Sequence, residues 1–256
     1  MAREFPGVKF ESVTGYKTAP NVATSNARYY EGRYLAGIAA GRMATQAGYV
    51  AGFPIPEVVQ GINAFAIGMR EANPKAQLRV LWLNAWFDPA REREAAQTLI
   101  NQGADVLTNH SGSPAVPQAA QAAFKDKGVR VIAYQSDMKA FAPDAQLAAV
   151  THHWGGHYTR VAQSVLDGRW RAQPVWAGMK EGLVQLSAVD TSLPKELRAQ
   201  LEARRQAVVA GKLRPFSGRL VDNTGTERLA RGTLDDAAIA TMNWLAAGVV
   251  GNLPGQ

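Results

Sequence analysis

The sequence has no cysteine among its 256 residues. That excludes a disulfide framework, a thiolate nucleophile and a cysteine-ligated zinc site, and it leaves the compartment open. Long apolar runs are also missing: none approaches the roughly 18–20 residues a helix needs to span a bilayer. The opening MAREFPGVKF lacks the apolar core of a signal peptide. No G-x-G-x-x-G follows the first strand-like run of the central pattern, and no Walker loop is present. Both absences argue against a nucleotide cofactor and against phosphoryl transfer. A G-x-S-x-G elbow is absent too. Acidic residues are the scarcer charged class, 21 against 28 Lys and Arg, for a formal charge of +7. The basic residues are scattered, with no run longer than Arg204-Arg205. They read as a solvated surface, so no nucleic-acid partner is expected.

What is present is a repeating pattern. Apolar strand-like runs begin near residues 49, 78, 104 and 129. That spacing of about 25–30 residues is the length of a βαβ crossover unit. Four units in succession predict a parallel sheet with helices on both faces. In the first unit, 49–53 is a strand, Pro54-Ile55-Pro56 enters the helix, and Glu57 complements the positive end of the helix dipole. Residues 78–83 form a continuous apolar strand, as expected where both faces are covered.

The flanks are less regular. Residues 2–7 read like the last turn of a helix, followed by strands at 8–11 and 21–27. The stretch 28–45 reads as a helix with Tyr30, Tyr34, Leu35, Ile38 and Met43 roughly on one face, and with Gly32, Gly37 and Gly41 for close packing. A strand is expected at 146–151. A helix at 155–168 should turn Val161, Val165 and Leu166 inward. Short strands follow at 174–179 and 183–186, then a helix at 194–211 ending near Gly211. A hairpin at 215–227 should turn at 222–225. A last helix at 234–245 precedes a fraying end.

In a parallel sheet the carboxyl ends of the strands share one edge, where such sheets bind ligands. That edge collects Phe53, then Asn84, Trp86, Phe87 and Asp88, then Asn109, His110, Ser111 and Ser113. Gln135, Ser136 and Asp137 follow, then His152, His153 and Trp154. Aromatic faces with neutral amides, hydroxyls and imidazoles suit a heteroaromatic ring. Aromatics stack on it at about 1–3 kcal/mol per base, and Asn, Gln or Asp read its edge.

Plainer readings stand beside this one. Trp86 and Phe87 could be core or interface residues. Asp88 before Pro89 reads as a helix N-cap rather than a ligand contact, and Asp137 could cap a turn. His110 with Ser111 and Ser113 invites a hydrolase reading, but no carboxylate in the sequence is evidently placed to orient the histidine. His152, His153 and His157 could suggest a metal. The adjacent pair points to opposite sides in a strand, and Gly155-Gly156 interrupts the i,i+4 spacing, so no metal or cofactor is expected.

Four stretches carry a resemblance: ARYYEGRYLAGIAAGRM at 27–43, AGFPIPEVVQGINAFAIGMREANP at 51–74, LWLNAWFDPAREREAAQTLINQGADVLTNHSGSP at 81–114, and IAYQSDM at 132–138. In this order they resemble the basic-membrane-protein family. These are purine- and nucleoside-binding lipoproteins that serve ABC importers as substrate-binding components. The branch most similar in look binds purine bases such as adenine. The resemblance implies an α/β, type I periplasmic-binding-protein fold: two doubly wound parallel-sheet lobes joined by three crossovers, with the ligand in the inter-lobe cleft. The first lobe is incomplete on this reading, with 1–27 and 151–175 as its remnant and 28–150 plus 176–256 as the second lobe and tail. Phe53, Trp86 and Phe87 would face the ligand, Asn84 and Asp137 would read the edge of the purine, His110 would join them, and Trp154 would come from the first lobe. No catalysis is implied. The partners would be a purine, the permease and ATPase subunits, and a membrane reached only through a lipid anchor that this chain does not show, in the periplasm or cell envelope.

Against the family pattern the chain reads as truncated at its N-terminus by about three βα units. It is therefore expected to bind weakly alone and to dissolve poorly unless it dimerises. Two other functions remain open from sequence: a regulatory or receptor module of the same fold, and a nucleoside-processing hydrolase.

Overall fold

The regular spacing of apolar runs becomes a wound sheet in the computed structural model, which describes residues 1–255. In chain order the elements are β1 (Phe10–Val13), β2 (Val22–Ala27), α1 (Tyr29–Met43), β3 (Gln46–Ala51), α2 (Pro56–Ala72), β4 (Gln77–Trp82) and α3 (Pro89–Asn101). β5 (Val106–His110), α4 (Ala115–Lys127), β6 (Arg130–Gln135), β7 (Gln146–His152) and α5 (Gly155–Leu166) follow. The chain ends with β8 (Pro174–Ala177), β9 (Val184–Ser187), α6 (Lys195–Val209), β10 (Leu220–Val221), β11 (Glu227–Leu229), α7 (Asp236–Ala240) and β12 (Val249–Val250).

The chain divides into two compact units, Met1–Arg28 with His152–Gln185, and Tyr29–Thr151 with the residues from Leu186 onward. It passes between them three times: after Arg28, within β7 and within β9.

The larger unit holds a seven-stranded sheet of order β12-β4-β3-β5-β6-β7-β9. The pairs from β12 through β7 are all parallel. From β4 the chain returns past β3 to reach β5, so the winding reverses at β3, which makes the sheet doubly wound. One face is closed by α3 and α4 over Val50, Leu99, Leu107, Val116 and Val131. α1 and α2 pack on one another backbone to backbone. A Cβ on Gly37 would stand 2.1 Å from the Phe65 carbonyl oxygen, and one on Gly41 would stand 2.2 Å from that of Met69. This is the close packing the glycines predict. α1 is not one-sided, however. Its residues from Tyr29 to Gly41 are nearly all buried, while Met43 is exposed.

Three expectations fail in ways that have a physical reason. Residues 234–245 do not form one long helix: α7 covers five residues with Asp235 as its cap, and the chain then turns irregularly into β12. That path is held by side-chain amides on α2. Gln60 Nε2 donates to the Ile239 carbonyl at 2.8 Å, Asn63 Nδ2 donates to that of Trp244 at 2.7 Å, and Asn63 Oδ1 accepts from Ala246 N at 2.8 Å. Nor does the end fray there, since β12 pairs with β4 and Trp82 Nε1 donates to the Asn252 carbonyl at 2.9 Å. Residues 2–7 do begin with one helix-like turn, Phe5 N donating to the Met1 carbonyl at 3.0 Å, and Asn21 Nδ2 gathers the segment by donating to the carbonyls of Ala2, Phe5 and Val8.

The smaller unit has a parallel three-stranded sheet, β1-β2-β8, with α5. Here the third expectation fails. α5 buries His157, while Val165 and Leu166 are exposed and Val161 is half-buried. The unit offers its helix a polar anchor, not an apolar seat.

Candidate functional site

The carboxyl ends of β3, β4 and β5 are tied into one platform by backbone hydrogen bonds. Leu83 N donates to the Ala51 carbonyl at 2.8 Å and Asn84 N to that of Gly52 at 3.0 Å. Gly52 N donates to the His110 carbonyl at 3.1 Å, and Gly112 N to that of Trp86 at 2.7 Å. Asn84 sits in the left-handed region, φ 52°, a conformation that asparagine tolerates and that reverses the chain after β4. The reversal lays the Trp86 indole on Gly52. A Cβ there would lie 2.7 Å from its Cε3, so only glycine leaves room for the ring.

The result is an aromatic run that begins in solvent and ends in the core. Trp86 is 45% exposed and Phe87 66% exposed, uncommon values for such large rings. Trp86 meets Phe53 edge to face with centroids 5.0 Å apart, within the range of a favourable pair. It reaches His110 at 6.0 Å, and His110 reaches Tyr134 at 4.5 Å. Beneath lies Arg33, fully buried, its guanidinium 3.4 Å from the Tyr134 ring centroid. Arg33 Nη1 donates to Thr108 Oγ1 at 2.8 Å and Nη2 to the Asn109 carbonyl at 2.6 Å.

His110 Nε2 faces Glu57 Oε1 at 3.5 Å. Burial pushes the imidazole below its ordinary value, against the upward pull of Glu57, and the Arg33 charge adds to the downward push. His110 is therefore a neutral ring near pH 7. Its Nδ1 is buried and has no hydrogen-bond partner among the described residues; the same holds for Arg33 Nε and Tyr49 Oη.

The hydroxyls and carboxylates nearby serve structure. Asp88 caps α3 through Arg91 N at 3.0 Å, and Glu92 reaches back to Asp88 N at 3.2 Å. Ser111 donates to Glu92 Oε2 at 2.7 Å, and Ser113 Oγ accepts from Ala115 N at 3.2 Å. Neither serine addresses His110, which removes the nucleophile a hydrolase would need. Asp137 is exposed, and its Oδ1 accepts from Lys139 N at 2.9 Å and Gln146 Nε2 at 2.7 Å, closing the turn after β6. Phe53, Asn84, Trp86, Phe87, His110 and Asp137 all belong to the larger unit, with Asp137 following β6, the strand that carries Tyr134.

Trp154 belongs to the smaller unit, where its ring stacks on Tyr158 at 5.8 Å and meets His157 at 5.6 Å. His157 Nε2 lies 2.9 Å from both Ser25 Oγ and Glu11 Oε1, and Ser25 also bonds Glu11. Serine and carboxylate share one ring nitrogen. A catalytic triad needs them on opposite nitrogens, so this is a packing cluster. Among the described residues no group of three or more His, Asp or Glu is placed to hold a metal ion.

Sequence reading passed over Arg33, Gly52 and Glu57. Arg33 lies in the second turn of α1 between Gly32 and Tyr34, two residues after Glu31, and nothing local marks it as buried. Glu57 drew notice only for the dipole of α2.

Comparison with known proteins agrees with the fold. A solute-binding protein of an ABC transporter system from Aeropyrum pernix superposes with a TM-score of 0.73 at 18% identity, covering 83% of this chain and 72% of that one. A purine-binding protein of Brucella abortus is 44% identical over 99% of this chain and 72% of its own length. A putative ABC transporter glucose-binding protein of Haloferax volcanii is 36% identical over 99% of this chain and 62% of its own length. The family model for PnrA-like ABC transporter substrate-binding proteins matches residues 1–214. No described helix is long and apolar enough to cross a membrane. The chain belongs to the Bmp family of ABC transporter substrate-binding proteins, non-catalytic components of transport that are typically extracytoplasmic.

Proposed function

We propose that this chain binds a purine base or nucleoside on the strand-end platform of its larger unit and releases it unchanged. The observation that carries this reading is the pair of exposed rings, Trp86 and Phe87, of which Trp86 meets Phe53 and reaches a neutral His110. Exposed rings fixed by a rigid sheet edge offer a stacking face at low ordering cost. The similarity to the Brucella purine-binding protein supports the same ligand class. Asn84 and Asp137 supply edge contacts, and Trp154 is part of the same proposal. The ligand passes to a permease driven by an ATPase subunit, in the periplasm or cell envelope.

A second reading has its own support: the Haloferax relative is named for glucose, and aromatic rings also stack on sugars. Thermal unfolding with adenine, guanine, adenosine, guanosine, inosine and glucose separates the two, because a ligand that binds only the folded state raises the midpoint. A shift with a purine that is lost in Trp86→Ala is expected. A shift with glucose alone, or with none of the six, would overturn the proposal.

A further inference from the structure

We infer that Glu57 is a specificity-determining residue of this platform, and that its carboxylate selects heteroaromatic bases that present a ring N–H or amino group. The inference rests on the purine reading above and adds to it the chemistry that the site reads.

Glu57 lies in the first turn of α2, four residues after Phe53, and its side chain keeps 15% of its surface exposed. Its contact with His110 Nε2, at 3.5 Å, is at the long limit of a hydrogen bond. A carboxylate offers about four lone-pair positions, so that one long contact leaves acceptor capacity open. The carboxylate and the indole of Trp86 are both neighbours of His110: one stands 3.5 Å from Nε2 and the other 6.0 Å from the ring centroid. A flat ring stacked on Trp86 therefore brings its rim to the acid. Arg33 and Glu57 both act electrostatically on His110, Tyr49 and Tyr134. The buried guanidinium supplies the local positive charge a half-buried carboxylate requires. Arg33 is fully buried, and the nearby Arg91 and Lys139 are paired with Asp88 and Asp190. Such an edge favours N–H donors and disfavours anionic groups.

The test is calorimetric titration of wild type and Glu57→Gln with adenine and with 1,3,7-trimethylxanthine, a flat purine whose N–H groups are all methylated. Replacing a charged acceptor by a neutral amide should weaken adenine binding about 10- to 100-fold. The same change should move trimethylxanthine by less than about twofold, because no N–H reaches the carboxylate. Glu57→Gln leaves the buried Arg33 without its neighbouring carboxylate, so the unliganded midpoint should fall, and affinities are compared at a temperature where both proteins are folded. Unchanged adenine affinity in Glu57→Gln overturns the inference and leaves the purine reading standing. So does wild-type binding of trimethylxanthine as tight as that of adenine, a comparison that holds even if the variant does not fold. Failure of wild type to bind adenine or guanine overturns both.

Discussion

Gly52→Ala is a small change that should disable the platform without touching a ligand. The new Cβ would stand 2.7 Å from Trp86 Cε3, 2.9 Å from Cζ3 and 3.1 Å from the Ala85 carbonyl oxygen. Ordinary contact begins at 3.4 Å, so the indole must move by about 0.7 Å. The backbone hydrogen bonds persist, because alanine keeps the N–H that donates to the His110 carbonyl and the carbonyl that accepts from Asn84, and the Ala85 carbonyl must give by about 0.3 Å. Trp86 is 45% exposed and can yield toward solvent. The stability loss should therefore fall in the lower part of the overpacking range, about 1–2 kcal/mol. For a chain of this size that lowers the melting midpoint by about 2–8 °C. The displaced ring also leaves Phe53 and no longer presents a fixed face, so adenine binding should weaken about 5- to 30-fold. Urea unfolding and calorimetry measure the two effects separately. Gly155→Ala is the control: nothing lies within 4 Å of its Cβ position, and alanine suits a helix. If Gly52→Ala keeps full stability and full affinity while Trp86→Ala loses binding, the placement of the indole on Gly52 is wrong.

Three further outcomes follow from the same geometry. Arg33→Lys keeps the charge but loses the paired bonds to Thr108 and Asn109 and the stack on Tyr134. It should destabilise by about 2–4 kcal/mol in urea unfolding, and a loss below about 1 kcal/mol would show that the guanidinium geometry is unimportant. Asn63→Ala leaves the Ala246 N–H and Trp244 carbonyl without their partner. It should cost about 2–4 kcal/mol and speed hydrogen exchange at Ala246 before the rest of the sheet. His110 is held below its ordinary value of 6.5 in the folded chain, so the unfolded chain takes up that proton first as pH falls. Stability should drop as pH falls below 6.5, and His110→Gln should remove that part of the slope in melting curves taken between pH 7 and 5.

The sheet was legible because it is buried on both faces. Apolar runs such as 78–83 and 129–134, broken only by Arg79 and Arg130, have few other ways to be satisfied. The Asp88-Pro89 cap and the turn at 222–225 were legible because short polar side chains answer to local backbone: Asp88 accepts from Arg91 N, and Asp222 from Thr224 N and Thr226 N. What failed to show was whatever depends on partners far along the chain. The path after α7 is held by Gln60 and Asn63, some 180 residues upstream, and on a helix wheel those two only interrupt an apolar face. α5 has a clear apolar stripe, but a stripe does not say what covers it, and in the smaller unit Val165 and Leu166 stay exposed. The strand-end aromatics could be collected from sequence because the edge follows from topology. Their support could not: Arg33 meets Tyr134 across about a hundred residues, and Glu57 meets His110 across about fifty.

The most direct test of the central claim is calorimetric titration of adenine into wild type and into Trp86→Ala. The account predicts saturable binding near one adenine per chain, weakened about 5- to 150-fold when the stacking face is removed. Adenine binding of equal strength in the two proteins would contradict it, since the ligand would then sit away from the platform that β3, β4 and β5 build.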